Sequence, residues 1–385
     1  MPTKKVTIAP GDGIGPEITD FVLDVFHTAE VPLTYERVAM GRAAESPETP
    51  DGLSHEAIAS IGRTGVLLKG PVETPEADGV PRADAAARRR FGAYAEKRIY
   101  RMLPGVPTPI GQHDLGLTIV RGMVEEGYET VEQMVDRDVA QAHRFSTRSG
   151  AERLHRYSFE MASKKGARRI TCAHQADVMR LTDGMFVEVF YQIAREYPHL
   201  RADDLTVDRL ARHLLVDPDA FDVVVLTDMP GNIVPELAAG LVGGLEYAPS
   251  ASIGESVGIF EPVHGTARDL VGQDQANPTA FLLAGSMMLR HVDLVDHATR
   301  IESAVERALY RMNRDAGVRE HVRRFHTSVF RHLVLTELRR EQEAVATPPA
   351  SERGSSVATP IESSGAPRSA GLALPSLTGQ LQGLA

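Results

Sequence analysis

Apolar residues along this chain fall into short continuous runs and into longer stretches with helical spacing. The runs Lys4–Ala9, Gly65–Lys69, Leu117–Val120, Arg169–Cys172 and Phe221–Leu226 predict buried strands. Ile18, Phe21, Val22, Val25 and Phe26 recur at helical intervals and predict a helix that reaches Thr28. The same rhythm predicts helices over Ser149–Lys164, Met185–Glu196, Thr279–His291 and Ala298–Met312. A strand, the glycine-rich turn PGDGIGPEI and a helix open the chain, which is how an α/β layer fold begins. From about Ala344 the pattern stops. Residues 345–385 are rich in Pro, Ser, Ala and Gly and are expected to be a disordered tail.

Composition narrows the possibilities. The 385 residues carry a formal net charge of −10, which argues against a general nucleic-acid binder. No apolar run approaches the length of a membrane span. The strand-like start leaves no room for a signal peptide, so a soluble, cytoplasmic protein is expected. The single Cys172 excludes a disulfide framework and a Cys-based zinc site. Aromatic residues make up only 5%, with no Trp, so the core must rely on aliphatic side chains.

Three segments carry candidate chemistry. Gly11, Gly13 and Gly15 sit between a strand and a helix, where close backbone approach would suit a phosphate; a plain tight turn is the competing reading. Arg88, Arg89, Arg90, Lys97, Arg98 and Arg101 form a basic cluster in an acidic chain, and Arg121 ends a strand. Arginines converging on one cleft would suit a di- or tricarboxylate, whereas a solvated helix face is the plainer reading. Glu261-Pro-Val-His264-Gly-Thr-Ala-Arg-Asp269 reads as a polar loop, and Asn277-Pro278 as a helix cap.

Taken in order, these segments resemble the β-decarboxylating dehydrogenases, the isocitrate/isopropylmalate dehydrogenase family. The anchors are GDGIGPEI, LLKGPVETP, the Arg88–Arg98 spacing, IVR ending at Arg121, HQADVMRLTDGMF, GNIVPELAAGLVGGL, IFEPVHGTARD, ANPTA and MMLRH. The wording is most similar to the NAD-dependent isocitrate branch, of the tricarboxylic acid cycle. The resemblance implies a two-lobed α/β/α sandwich with a mixed sheet. One lobe would comprise 1–94 and 243–344; the other, 95–242, would carry a dimer surface. It implies NAD, Mg²⁺ or Mn²⁺, and oxidative decarboxylation of a 2-hydroxy acid with a β-carboxylate. Arg88, Arg98 and Arg121 would hold the substrate carboxylates. His264, Gly265, Thr266, Ala267, Asp269 and Asn277 would hold the cofactor, with Asp269 favouring NAD over NADP.

At the chemical positions the sequence departs from the family. The family lysine corresponds to Gln175, which cannot take a proton near neutral pH. The family tyrosine corresponds to Phe145. The metal aspartates correspond to Asp208, Asn232 and Glu236, a weakened donor set. A family Ser and two Asn correspond to Arg82, Asp84 and Glu96, and the family R-E-N to Arg121-Gly122-Met123. Three readings follow. The chain is an NAD-dependent dehydrogenase of isocitrate, favoured, or of an isopropylmalate-type 2-hydroxy acid. Or its chemistry is altered, with Asp177 or Glu96 as the base for a different acid. Alternatively it binds the same ligands as an impaired subunit, in a homodimer or beside a catalytic homologue. In either arrangement residues 175, 177 and 208 would reach the neighbouring cleft.

Overall fold

The computed structural model describes residues 3–75, 80–111, 113–123, 131–315 and 325–346. The chain opens with β1 (Lys4–Ala9), α1 (Gly15–Thr28), β2 (Leu33–Arg37), α2 (His55–Thr64), β3 (Val66–Lys69) and α3 (Ala83–Arg90). Next come β4 (Ala95–Arg101), β5 (Gly116–Gly122), β6 (Val131–Met134), β7 (Ala140–His143), α4 (Arg148–Lys165) and β8 (Arg169–His174). Then follow α5 (Thr182–Ala194), β9 (Arg201–Thr206), α6 (Val207–Val216), β10 (Val223–Leu226) and α7 (Pro230–Leu241). The last elements are β11 (Pro249–Ile253), β12 (Gly258–Pro262), α8 (Thr279–His291), α9 (Val295–Asp315) and α10 (Thr327–Ala346).

Ten strands form one mixed sheet in the order β2-β1-β3-β12-β11-β4-β5-β10-β8-β9. Pairing is parallel on both flanks. At the centre β11 and β4 are antiparallel to each other and to β12 and β5. Two parallel blocks therefore point in opposite directions and meet at β11 and β4. Lys69, Glu96, Arg98, Arg121, Ser250 and Glu261, which line the cleft, come from the strands at and beside this meeting line. Strands β2, β1, β3, β12 and β11 derive from the two ends of the chain, and the other five from its middle.

Helix α8 is the spine of the larger core. Its residues from Thr279 to Leu289 are all buried, because it packs between the sheet, α1 and α9. Gly285 allows this approach: a Cβ there would meet the Phe26 ring. On the opposite half, His155, Phe159, Phe186 and Phe190 interlock between α4 and α5. Helix α4 is well closed: the Thr147 hydroxyl accepts the Gly150 N–H at 3.1 Å, and Gly166 ends it in the left-handed region at φ 72°.

The strands and helices read from periodicity all occur, β1 and α8 with the expected ends and the others with shifted ones. Strand β10 begins at Val223 rather than Phe221, because the Asp222 carboxylate turns to accept the backbone N–H groups of Arg168 and Arg169 at 2.8 and 3.0 Å. Strands β4 and β11 carry no apolar run. In β4 the buried face itself consists of Glu96, Arg98 and Tyr100. The first two residues of the expected tail are helical, since α10 runs through Ala346; residues 347–385 lie outside the described residues. Among the described residues no helix is long and apolar enough to cross a membrane.

Candidate functional site

A polar cleft of about 480 Å³ opens over the centre of the sheet, lined by Lys69, Arg82, Asp84, Arg88, Glu96, Arg98, Arg121, Asn232, Ser250, Glu261 and His264 among others. All three arginines expected from the sequence converge on it. Alternation along β4 puts Glu96 and Arg98 on the same face, and register places Glu96 beside Arg121 of β5. Arg88 reaches in from the last turn of α3.

Each arginine already has a carboxylate from its own chain. Arg88 pairs with Glu261 and, at 3.2 Å, with Asp84. Asp84 also takes two hydrogen bonds from Arg82, at 3.0 and 2.6 Å. Arg98 donates to Glu96 at 3.1 Å and to Glu236 at 3.3 Å. Arg121 pairs with the second oxygen of Glu96 and, at 3.4 Å, with Asp228. The buried Lys69 ammonium sits 2.6 Å from Glu261. Burial works to raise the Glu96 pKa, but Arg121, Arg98 and Arg88 outweigh it and hold the carboxyl well below the usual range. A carboxylate so strongly held ionised is a poor proton acceptor at neutral pH, which removes Glu96 as a replacement base.

Sequence reasoning missed Lys69 and Ser250. A lysine ending an otherwise apolar buried strand was the available signal for the first; Ser250 gave none.

A second cavity, of about 650 Å³, adjoins the first. His264 and Gly265 line both; Ile14, Tyr247, Ala267, Leu270 and Asn277 line the second alone. Of the expected cofactor positions, His264, Gly265, Ala267 and Asn277 therefore reach this wall. Thr266 instead packs on the first glycine turn. Asp269 is exposed, on a short turn between the wall residues Ala267 and Leu270. The His264 Nδ1 lies 3.0 Å from the Gly265 carbonyl, which requires a proton on Nδ1. Its Nε2 is buried without a hydrogen-bond partner. Burial lowers the His264 pKa, against the Gly265 carbonyl and reinforced by Lys69, so the ring offers a neutral acceptor. The Asn277 side-chain oxygen accepts the Thr279 N–H at 3.1 Å and the Thr279 hydroxyl at 2.6 Å, and its amide group donates towards the Tyr247 hydroxyl. The guanidinium of Arg268 is turned to Glu73, where it is held by two hydrogen bonds.

The glycine turn is a packing device. The Asp12 N–H donates to the Pro71 carbonyl at 2.7 Å and the Ile14 N–H to the Thr266 carbonyl at 2.9 Å. Those groups are spent within the chain and do not form a phosphate cradle. A Cβ on Gly13 would overlap the Thr266 carbonyl, and φ is 57° there. The turn thus braces the loop that follows β12.

The positions expected for proton transfer lie elsewhere. Gln175 follows β8 and is half-buried; its backbone N–H donates to Asp183 at 2.7 Å, and Asp183 is held by Arg144 at 2.7 Å. Asp177 is exposed and accepts the Val178 N–H at 3.0 Å. Phe145 is exposed, stacked on His143, and does not line either cavity. The nearby segment 124–130 lies outside the described residues.

Within a single chain the metal positions are not brought together, and Asp208 is the one expected to serve a neighbouring cleft. Asp208 is exposed on the first turn of α6. The Asn232 oxygen accepts a hydrogen bond from Arg121, and Glu236 faces Arg98. Among the described residues no group of three or more His, Cys, Asp or Glu side chains is placed to hold a metal ion. An amide oxygen and a carboxylate already committed to arginines do not fit a divalent cation.

A sequence model of the isocitrate/isopropylmalate dehydrogenase family matches residues 5–334. The chain belongs to this family. Isocitrate dehydrogenase [NADP] of Thermus thermophilus is 40% identical over 302 residues, which is 78% of this chain and 61% of that protein. The chain therefore spans less than two thirds of that relative. A mitochondrial regulatory subunit of isocitrate dehydrogenase [NAD] from Dictyostelium discoideum is 38% identical over 78% of this chain and 83% of its own. The crystal structure of isocitrate dehydrogenase from Methylococcus capsulatus superposes with a TM-score of 0.79 at 32% identity, covering 87% of this chain and 99% of that one. Family membership accounts for the mixed sheet.

Proposed function

We propose that this chain is an NAD-using oxidoreductase for a small 2-hydroxy carboxylate, with binding retained and the chemical step slowed. The observation that carries this reading is the junction of an arginine-lined cleft and a larger cavity at His264 and Gly265. A carboxylate in the first would lie beside a dinucleotide in the second. Bound there, NAD supplies the hydride acceptor. His264 offers its unpartnered nitrogen to a donor on the dinucleotide. Asp269 disfavours a 2′-phosphate by charge, and Arg268 does not offset it because Glu73 holds that guanidinium.

On the substrate side Arg88, Arg98 and Arg121 orient carboxylates. Gln175 can donate a hydrogen bond but cannot accept a proton near neutrality, and loss of a general base costs roughly 10²–10⁴ in rate. No step is assigned to a divalent cation.

A second reading is favoured by the Arg121–Asn232 and Arg98–Glu236 contacts. They turn the family's metal positions into counter-groups for the substrate arginines. In that reading the chain is a ligand-binding subunit beside a catalytic homologue. Purified protein, alone and mixed with an active homologue, is assayed for NADH formation over a panel of 2-hydroxy acids. Slow formation by the chain alone supports the first reading. Silence alone, with an altered rate in the mixture, supports the second.

Self-association fits both. The hairpin β6–β7 is a separate two-stranded sheet with Met134, Val135 and Val139 exposed at its tip. Such a hairpin is marginal on its own. Val178, Met179, Leu181, Met229 and Ile233 add further exposed apolar area.

A further inference from the structure

Glu96 stands out in the cleft. Its side chain is 2% exposed and lies between β5 and β11. One oxygen accepts from Arg98 Nε at 3.1 Å and from the Ser250 hydroxyl at 2.7 Å; the other pairs with Arg121. One carboxylate thus satisfies two of the three arginines that would otherwise meet a ligand. Asp84 and Glu261 do the same for Arg88. Five cations line the cleft, Lys69, Arg82, Arg88, Arg98 and Arg121, against three carboxylates, Asp84, Glu96 and Glu261. The surplus is two positive charges. Asp228 and Glu236 also pair with Arg121 and Arg98 but do not line the cleft, so the lining itself keeps a surplus of two.

We propose that Glu96 fills from within the place of a ligand carboxylate, so that the cleft selects a dicarboxylate over a tricarboxylate. The proposal rests on the reading of this cleft as the carboxylate site. A third ligand carboxylate would approach a fixed anion whose cations are already engaged, and in a partly buried site that repulsion is poorly screened. A site discriminates by such a built-in repulsion as much as by attraction. A dianion matches the surplus. It can be held by Arg88, Arg82 and the remaining N–H groups of Arg98 and Arg121, since guanidinium carries five donors.

The test is calorimetric titration of the full chain with malate and with citrate, at saturating NAD and without added metal, for wild type and Glu96→Gln. Glutamine keeps the shape and one acceptor oxygen but removes the charge. Wild type is expected to bind malate at least tenfold more tightly than citrate. Glu96→Gln is expected to shrink that ratio at least tenfold or reverse it, with thermal melting checking the fold. Citrate bound by wild type as tightly as malate overturns the proposal, and this arm decides even if the variant does not fold. An unchanged ratio in a folded variant that binds NAD and malate also overturns it, while leaving the functional reading intact. A wild type that binds neither NAD nor either acid overturns both.

Discussion

The Asn232 side-chain oxygen accepts a hydrogen bond from the Arg121 guanidinium. A residue at a metal position and a residue at a substrate position thereby satisfy each other. Asn232→Asp alone would strengthen that pair rather than free a metal ligand, since a carboxylate binds guanidinium more tightly than an amide does. The single variant is therefore expected to change NADH formation less than threefold in the presence of Mn²⁺. Adding Gln175→Lys restores an ionisable group, and the double variant is expected to gain roughly 10²-fold. Initial rates of both variants check this.

Asp269 is expected to set the dinucleotide preference. Replacing it by Asn removes the charge that opposes a 2′-phosphate, so the NADP-to-NAD affinity ratio should rise about tenfold, or ~1.4 kcal/mol. Titration of both dinucleotides measures it. Equal ratios in wild type and variant would place the discrimination elsewhere.

The larger share of the fold was legible in the sequence because its helices and flanking strands bury continuous apolar faces. The arginine cleft was legible only through the family resemblance, which singled out Arg88, Arg98 and Arg121; the residues alone fitted a solvated helix face. What could not be read was how those charges pair. Asp84 stands four residues before Arg88 and Glu96 two before Arg98, so those pairs are local; Glu261 on Arg88 and Glu96 on Arg121 come together only through the meeting of β3, β12, β11, β4 and β5. The glycine turn shows the same limit. Its composition fits a phosphate loop, but the neighbours that occupy its N–H groups, Pro71 and Thr266, come from other segments.

His155 makes the fold acid-sensitive. Burial pushes its pKa down to about 3, against the Phe186 carbonyl that accepts its Nε2–H at 3.1 Å. The unfolded chain takes that proton near pH 6.5, so between about 6.5 and 3 the unfolded state binds more protons. Stability supplied by neutral His155 is present above pH 6.5 and is lost as pH falls through that window, on the order of a few kcal/mol. His155→Phe is expected to be less stable at pH 7 by about 1–3 kcal/mol, because the Phe186 carbonyl loses its donor, yet flatter with pH. Urea midpoints from pH 8 to pH 4 test both signs.

The exposed apolar residues of the β6–β7 hairpin and of the loop after β8 are expected to be covered in solution by a second copy. Light scattering should give twice the chain mass, and Leu181→Asp combined with Val139→Asp should shift it to the monomer. A wild-type monomer at micromolar concentration would leave those residues unexplained.

The central claim is that binding survives while chemistry is slowed. It is tested most directly by measuring, on one preparation, NAD affinity by calorimetry and NADH formation with 2-hydroxy acids and Mn²⁺. The account predicts saturable NAD binding together with a rate at least about 10²-fold below that of the Gln175→Lys, Asn232→Asp variant. Wild-type turnover of isocitrate or isopropylmalate equal to that of the variant, or no NAD binding at all, would contradict it.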